Sequence, residues 1–287
     1  MTATSESCTE TFKRATLAQW EKAAPGWNHH TPQIRAWLQS ATDAMLTMAG
    51  VKPGARVLDV AAGAGDQTLD IAERVGPEGL VLATDLSPAI LEYANANAIR
   101  AGFRNVRTQV ADGERLDVAE GSFDAAVCRL GVMLFPDPLQ GLRQMYRALR
   151  PGGGLCSMVF SSPDANPCVA ILMATALQYA GFPPRDPYQP GGLLSLGKPG
   201  LIDELFKAAG FRDVATTKVK TPFKLPSTRD YLAFVQTSAS PIQQILGTLD
   251  EVKREAAWGA MEERLNAFET ASGWVGPNEI LLTAARR

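Results

Sequence analysis

The sequence has few of the residues that build disulfide frameworks, metal sites or nucleic-acid surfaces. It contains two histidines and four cysteines in 287 residues. None of the cysteines has the C-x-x-C spacing of a zinc or redox site, so we expect reduced thiols, a cytoplasmic location and no metal. The net charge is −2, which argues against a nucleic-acid partner because nucleic-acid-binding surfaces are strongly basic.

Long apolar runs are also lacking. The longest, residues 168–177, is too short to cross a bilayer, so we expect no membrane span. The polar N-terminus lacks the hydrophobic region of a signal peptide. A hydrophobic fraction of 46% is ample for a core, and the length suits one large α/β domain with or without a cap. We therefore predict a single domain over residues 1–287.

The most informative feature present is the stretch VLDVAAGAGD at residues 57–66, in which an apolar run of strand type meets a loop of very small residues. Gly63 and Gly65 have no Cβ to hinder a close approach between the backbone and a ligand. A second apolar run ends at Asp85, whose carboxylate is placed to accept hydrogen bonds from a ribose diol. This pattern predicts a nucleotide-like ligand at the head of a βαβ unit.

The loop residues favour a ligand without phosphates. A dinucleotide fingerprint needs a third glycine where this chain has Thr68, and a phosphate-binding P-loop needs a lysine that is absent here. Two carboxylates, Asp59 and Asp66, flank the loop instead and suit a ligand that carries an ammonium group. A molecule with a ribose, an amino acid end and no phosphate, such as S-adenosylmethionine, matches these residues best.

Five segments in order extend this pattern over roughly residues 50 to 160. The chain resembles class I S-adenosylmethionine-dependent methyltransferases, in the branch that includes the ubiquinone and menaquinone biosynthesis methyltransferases (methyltransferase type 11). The matching segments are VLDVAAGAGD (57–66), ATDLSP (83–88), VADG (110–113), GSFD (121–124) and LRPGGG (149–154). One departure is Ala61, where the wider family usually has glycine, and alanine is small enough to keep the loop plausible.

The resemblance implies that S-adenosylmethionine is the cofactor, that S-adenosylhomocysteine is the product, and that the glycine-rich loop contacts them. Ala61, Gly63 and Gly65 then form the floor of the site. Asp85 binds the ribose, or is an acidic residue that interacts with a helix dipole. Asp59 holds the methionine ammonium, often through water, or caps the loop amides.

The resemblance also implies contacts to the adenine and to the methionine end. Leu86 packs on the adenine face, and Asp112, beside Gly113, accepts the adenine amino group unless it is only a turn residue. Arg129 follows the fourth predicted strand and lies beside the sulfonium, where it binds the cofactor or an acidic acceptor, or else forms a surface ion pair. Trp27 covers the methionine end or packs within its own helix.

The two histidines, His29 and His30, are adjacent and follow Trp27 closely. A histidine of near-neutral pKa can deprotonate a phenol or hydroxyl as a general base, so both are candidate catalytic residues. Adjacent histidines on an exposed loop are more often solvated, and they lack a third ligand for a metal. Methyl transfer from a sulfonium needs little acid–base chemistry, so catalysis does not depend on this base.

Alternating elements predict an α/β fold with a Rossmann-like, doubly wound and mostly parallel seven-stranded sheet. Its cofactor-binding core covers residues 51–160. The expected strands lie near residues 55–60, 79–84, 105–111, 123–129, 154–160, 211–219 and 279–285.

Three further segments surround this core. Residues 1–50 predict a helical lid, with one helix around residues 10–23, a turn at Pro25-Gly26 and a second helix. Residues 161–199 and 220–277 are expected to be cap insertions that bind the acceptor. In the second of these, a capping box begins at Ser227 and a longer helix begins at Ser240-Pro241. A homodimer interface is the alternative use of this segment.

These observations predict an enzyme that transfers a methyl group from S-adenosylmethionine to an oxygen or carbon of a small, apolar or aromatic acceptor in secondary metabolism. A quinone-biosynthesis C-methyltransferase is an alternative within the same family. A methyltransferase-like binding protein without transfer is an alternative from another class, and an NAD-dependent oxidoreductase is disfavoured by Thr68.

Overall fold

The computed structural model describes residues 8–287, and a seven-stranded sheet forms its centre. The strands of the described chain, numbered in chain order, are β1 (Arg56–Val60), β2 (Leu80–Asp85), β3 (Val106–Val110), β4 (Phe123–Arg129), β5 (Leu149–Phe160), β6 (Arg212–Lys220), β7 (Phe223–Leu225), β8 (Glu269–Thr270), β9 (Gly273–Gly276) and β10 (Glu279–Arg286). The central sheet has the order β3-β2-β1-β4-β5-β10-β6.

The central sheet is mostly parallel, as the sequence predicts. Strands β1 to β5 pair in parallel, and β10 enters antiparallel between β5 and β6. In the middle of the sheet, Leu58 pairs with both Leu82 and Ala126, and Leu58 is fully buried. Because helices cover both faces of such a sheet, its central strands read as continuous apolar runs. This confirms the Rossmann-like, doubly wound fold class.

Ten α-helices accompany the strands in the described residues. They are α1 (Cys8–His29), α2 (Thr31–Ala49), α3 (Asp66–Val75), α4 (Pro88–Arg100), α5 (Pro138–Ala148), α6 (Pro167–Tyr179), α7 (Leu201–Ala208), α8 (Thr228–Ser238), α9 (Ser240–Leu246) and α10 (Glu251–Leu265). Helices α2, α3 and α4 pack side by side against the sheet, while α5 packs with α7. The strand order reverses between β1 and β4, so right-handed crossovers put these two sets on opposite faces.

The predicted turn at Pro25-Gly26 is wrong, because α1 continues through both residues to His29. Gly26 instead allows α1 to approach α8 closely. A Cβ added at Gly26 would lie 2.7 Å from Thr237 Cβ and closer still to the Thr237 carbonyl oxygen. The close approach of α1 to α8 therefore explains the glycine that the sequence suggested was a turn residue.

The segment 220–277 contains strands as well as helices, which the expectation of a purely helical cap missed. Strands β7, β9 and β8 form a small antiparallel sheet. The single longer helix expected from Ser240 is divided into two helices, since α9 ends at Leu246 and α10 begins at Glu251. Asp250 is the N-cap of α10, and its carboxylate accepts a hydrogen bond from Lys253 N at 2.8 Å. Ser227 is the N-cap of α8, as the predicted capping box requires, since its Oγ accepts a hydrogen bond from Asp230 N at 3.2 Å.

Within residues 8–287, no helix combines the length and the apolar character that crossing a membrane requires.

Candidate functional site

A cavity opens where β1, β2 and β4 end, at the edge where the strand order reverses. Most of the predicted cofactor-binding residues line it, namely Trp27, Ala61, Gly63, Asp85, Leu86, Asp112, Gly113 and Arg129. Parallel α/β sheets bind ligands at such a switch point, outside the carboxyl ends of the strands. The fold therefore brings together segments that the sequence separates by about a hundred residues.

The glycine-rich loop forms one wall of this cavity, and it is tightly turned. Ala61 and Gly63 both have positive φ, +55° and +58°. Gly63 N donates a hydrogen bond of 3.0 Å to Asp85 Oδ2. A Cβ at Gly63 would lie 3.1 Å from Trp27 Nε1, so the indole covers the loop directly. The loop, the acid that follows β2 and the N-terminal helix thus meet at one point.

Asp85 is half-buried and lies in the cavity wall. Its Oδ1 accepts from Ser87 N at 3.0 Å and its Oδ2 accepts from Gly63 N. Burial raises the pKa of this carboxyl, and the backbone donors oppose that shift. An ionised carboxylate oxygen can accept more than one hydrogen bond, so each oxygen retains capacity for a ribose hydroxyl.

Gly65, the second glycine of the loop, lies at the start of α3 and packs against α4. It is the N-cap residue of α3 at φ +86° and lies outside the residues that line the cavity. A Cβ there would approach Ala94 Cα to 3.0 Å and Ala94 Cβ to 2.9 Å. The missing side chain therefore allows α3 and α4 to pack closely. The predicted contact between Gly65 and a cofactor stays a prediction, and the position of Gly65 outside the cavity wall does not support it.

Asp59 is fully buried behind the cavity wall. Its two oxygens accept hydrogen bonds from Gln67 Nε2 at 3.1 Å and from Thr68 Oγ1 at 2.6 Å. Burial raises the pKa of Asp59 to about 7, and these two hydrogen bonds act in the opposite direction. The carboxyl holds Gln67, which does line the cavity. Gln67 could not be identified from its own position in the motif, because its orientation depends on the hydrogen bond to buried Asp59.

Arg129 lines the cavity and is itself buried. Its guanidinium forms a buried ion pair with Asp66 and donates to Thr42 Oγ1 at 3.1 Å. The alternative expectation of a surface ion pair is wrong, because Arg129 is 6% and Asp66 is 1% exposed. The Oδ1 atom of Asp66 has no partner among the described residues. The Arg129–Asp66 ion pair therefore keeps one free hydrogen-bond acceptor next to the glycine-rich loop.

Asp112 and Gly113 lie at the other end of the cavity, next to a residue that sequence reasoning missed. Lys13 of α1 reaches Asp112 Oδ2 at 2.6 Å and also pairs with Glu114. A Cβ at Gly113 would lie 2.6 Å from Phe135 Cε2, so this glycine makes room for an aromatic ring in the wall. Lys13 is remote in sequence, and only the docking of α1 brings it here.

The N-terminal helix covers the cavity through several contacts. Trp20 and Trp27 both line it and pack edge to face with ring centroids 5.7 Å apart. Glu21 accepts hydrogen bonds from Ser87 Oγ at 2.6 Å and from Ala89 N at 3.2 Å, at the start of α4. Helix α1 is therefore fastened to the carboxyl edge of the sheet beside the cavity.

The structure places His29 and His30 outside the walls of the cavities described here. His30 Nε2 lies 3.0 Å from Thr237 Oγ1, and its ring packs 5.2 Å from the Phe234 ring. Burial, with a smaller effect of His29, lowers the pKa of His30. The His30 ring thus packs against α8, while His29 is exposed and contacts the His30 ring, with ring centroids 4.9 Å apart. The catalytic role of both histidines stays a prediction without support from this geometry.

A second cavity adjoins the first under the segment 220–277. The two share four lining residues, Trp20, Trp27, Leu130 and Leu134. Most of the remaining wall comes from α2, α6, α8, α9 and the strand ends. It is rich in aromatic rings, namely Trp37, Phe160, Phe223, Tyr231 and Phe234. A molecule bound in the second cavity would reach the first cavity beside Trp27 and Leu130, which line both.

The sheet order, the glycine-rich loop and the acid after β2 together are those of Rossmann-like, class I S-adenosylmethionine-dependent methyltransferases. The chain belongs to the ubiE/COQ5 methyltransferase family, whose sequence model matches residues 33–178. This confirms the resemblance drawn from the motifs. The match also supports S-adenosylmethionine as the cofactor.

The curated relatives match part of their own length. A ubiquinone/menaquinone biosynthesis C-methyltransferase UbiE of Coxiella burnetii is 33% identical over 137 residues, which cover 47% of this chain and 55% of the relative. The matched region thus spans about half the length of such relatives. The family model, which matches residues 33–178, includes the glycine-rich loop and the motifs at residues 83–88 and 110–113, and it ends before the segment 220–277.

Solved structures show the same fold at low sequence identity. The YcgJ protein of Bacillus subtilis aligns with a TM-score of 0.59 and 19% identity, over 87% of this chain and 98% of that one. The cyclase SpnF aligns with a TM-score of 0.54 and 18% identity, over 93% and 96% of the two chains. One of these two proteins is named a cyclase, so the fold alone does not determine the reaction.

Proposed function

We propose that this protein is an enzyme that transfers the methyl group of S-adenosylmethionine to an oxygen or carbon of a small, apolar or aromatic acceptor in secondary metabolism. The observation that carries the proposal is the first cavity. There the loop at Gly63, the carboxylate of Asp85 and the site around Asp112 line one continuous wall. S-adenosylhomocysteine is the product expected to remain in it.

The charges of the cavity suit a cofactor without phosphates. Two cationic side chains line it, and carboxylates neutralise both: Asp66 pairs with Arg129, while Asp112 and Glu114 pair with Lys13. Among the described wall residues no cation remains for a diphosphate, which argues against NAD. The acidic groups suit a ligand with ribose hydroxyls and an ammonium group.

The protein's own contribution to this reaction is positioning and the exclusion of water. When bound, the cofactor supplies a methyl group on a positively charged sulfur. We propose that Asp85 accepts hydrogen bonds from the ribose hydroxyls. Leu86 and Asp112 would contact the adenine, and Gln67 and Arg129 would contact the methionine end. Correct orientation alone can be worth an effective concentration of about 10⁵ M, so the absence of a histidine from the described walls is compatible with catalysis.

The surrounding segments then acquire roles. We assign residues 1–50 to a lid, of which the structure describes residues 8–49 as α1 and α2, and residues 161–199 and 220–277 to a cap over the acceptor. Closure of such elements excludes water from the reacting groups. A single domain, a cytoplasmic location, the lack of a nucleic-acid partner and the alternative of a homodimer interface all remain predictions.

The family match supports a second candidate, a quinone-biosynthesis C-methyltransferase. The curated relatives carry that activity in their names, whereas the segment 220–277 lies outside the matched region. We rank the secondary-metabolite acceptor first because this segment forms much of the second cavity. A non-catalytic binding protein is the third candidate.

A methyl-transfer screen with labelled S-adenosylmethionine tests the proposal. The acceptors are phenols, hydroxylated polyketides and quinols with a free ring position, and Asp85→Ala is the negative variant. We expect transfer to a phenol or polyketide and a loss of at least tenfold in kcat/KM with Asp85→Ala. Transfer confined to quinols selects the second candidate. Tight cofactor binding without any transfer selects the non-catalytic one.

A further inference from the structure

The wall of the second cavity contains a buried hydroxyl, that of Ser238, that no other described residue satisfies. Ser238 is the last residue of α8, lines this cavity and is 1% exposed. Its hydroxyl has no hydrogen-bond partner within the described chain. A buried hydroxyl without a partner costs free energy, so native proteins rarely keep one unless a ligand or water satisfies it.

The neighbouring residue shows that the helix itself offers a partner. Thr237 Oγ1 donates to the carbonyl oxygens of Ala233 at 3.0 Å and Phe234 at 3.2 Å, which is the ordinary arrangement for a hydroxyl on a helix. Ser238 does not make this bond. Its side chain lies on the side of α8 that forms the cavity wall, so the unused hydroxyl is available to a molecule inside.

The rest of the wall restricts what that molecule can be. The described residues that line the second cavity include no Asp, Glu, Lys, Arg or His. Burial of a charged group without a partner is strongly unfavourable, so the molecule is uncharged there. Aromatic rings such as Trp37 and Phe223, stacked at 4.7 Å, face it from several sides. Ring-on-ring packing favours a flat aromatic ligand.

We propose that Ser238 is the residue that selects the acceptor, by hydrogen bonding to an uncharged oxygen on an aromatic, otherwise apolar molecule in the second cavity. The oxygen is a phenol, hydroxyl or carbonyl group. The shared wall at Trp27 and Leu130 lets the far side of the same molecule face the first cavity. This inference names the acceptor class of the proposed function and rests on it.

The test is calorimetric binding of two probes, 2-naphthol and 2-methylnaphthalene, which differ by a hydroxyl in place of a methyl group. Wild type, Ser238→Ala and Ser157→Ala are titrated with and without saturating S-adenosylhomocysteine. Ser157 is the matched control because its hydroxyl is also buried without a partner among the described residues, but it lies on β5 away from both cavity walls.

We expect the affinity ratio of 2-naphthol to 2-methylnaphthalene to fall about five- to tenfold in Ser238→Ala, the range for one neutral hydrogen bond. The ratio should stay at the wild-type value in Ser157→Ala. The Tm of ligand-free Ser238→Ala should equal or exceed that of wild type, because the substitution removes an unsatisfied polar group.

An unchanged ratio in Ser238→Ala overturns the proposal, as does a failure of both probes to bind or a lowered Tm, which would reveal a partner within the protein. The titrations without S-adenosylhomocysteine separate this result from the proposed function. If S-adenosylhomocysteine does not bind but the ratio falls in Ser238→Ala alone, the cavity and its serine stand while the methyl-transfer assignment fails.

Discussion

At the scale of single residues, Ala61 shows what the departure from the family's usual glycine costs. Its φ of +55° lies in the left-handed region, which costs a residue with a Cβ about 1–2 kcal/mol. Its methyl group also lies against Gly131, where an added Cβ would be 2.5 Å from Ala61 Cβ. The loop therefore keeps its turn at the expense of some stability.

Replacement of Ala61 by glycine should raise the free energy of unfolding by about 0.5–1 kcal/mol, because glycine adopts positive φ without strain. The measurement is the unfolding midpoint in denaturant. Ala62→Gly is the matched control, since Ala62 is buried and is not among the residues with positive φ; there the same change should be destabilising. A loss of stability in Ala61→Gly comparable to that in Ala62→Gly would show that the loop is not strained.

Asp59 is a second residue whose environment has a measurable consequence. Its folded pKa of about 7 lies above the ordinary value of 3.8. Between these values the folded protein holds a proton that the unfolded chain has released, so the stability of the wild type falls as the pH rises from about 4 to about 7. The penalty is fully present above pH 7.

The Asp59→Asn variant lacks this titration. The free energy of unfolding of the wild type, relative to Asp59→Asn, should therefore decrease by a few kcal/mol between pH 4 and pH 7.5. Denaturant unfolding at several pH values measures this pH dependence. Asp164→Asn, at an exposed position, is the control, and its free energy of unfolding should change with pH as that of the wild type does. Parallel curves for wild type and Asp59→Asn would mean that the buried carboxyl keeps an ordinary pKa.

The sequence identifies many residues of the loop and the cavity wall, but it does not show what each of them contacts. Gly63 and Gly65 look alike in the loop, yet one lies under Trp27 in the cavity wall and the other makes room for Ala94. A periodic pattern cannot separate a glycine needed by a ligand from one needed by helix packing. Lys13 belongs to no motif, and its ion pairs with Asp112 and Glu114 form only because α1 packs on α4 and reaches the loop that follows β3.

At the scale of elements, the N-terminal helix α1 links the cofactor cavity to the segment 220–277. It contacts α4 through Glu21 and packs on α8 at Gly26. Pro25 lies inside this helix and cannot donate a hydrogen bond, which is why a turn was the natural sequence interpretation. Tertiary packing against α8 outweighs that local preference.

This packing predicts opposite effects for two glycine-to-alanine changes in helices. Gly26→Ala should lower stability by about 1 kcal/mol or more, because its Cβ meets the backbone of Thr237. Gly259→Ala, in α10 with nothing within 4 Å of its added Cβ, should raise stability by about 1 kcal/mol through helix propensity. Thermal unfolding compares the two; an equal rise in Tm for both variants would contradict the close contact between α1 and α8.

At the scale of the whole molecule, most strands of the central sheet could be predicted from the sequence because they are short apolar runs bounded by turn residues. Strand β6 is mostly polar and has no buried residue, and its place after the helix that ends near Gly210 predicts it instead. The pairing order of the strands follows from the rules of parallel sheets and from the family resemblance. The small sheet formed by β7, β9 and β8 could not be predicted, since β8 has two residues and β7 three. These strands form because Trp274 is buried against Tyr231, with ring centroids 4.2 Å apart.

The division into two adjoining cavities is likewise a property of the whole molecule. The motifs at residues 57–66, 83–88 and 110–113 predicted the first cavity. The second is built by residues from α1, α6, α8 and α9, none of which has a motif for an acceptor. The methyl donor could therefore be inferred from the sequence, while the character of the acceptor required the packed structure.

Calorimetric titration of the protein with S-adenosylhomocysteine and, separately, with NAD tests the assignment of the methyl donor. We expect that S-adenosylhomocysteine binds, that Asp85→Ala weakens this binding at least tenfold, and that NAD does not bind. Binding of NAD without binding of S-adenosylhomocysteine would overturn the assignment of the cofactor, and full affinity for S-adenosylhomocysteine in Asp85→Ala would refute the role of that carboxylate.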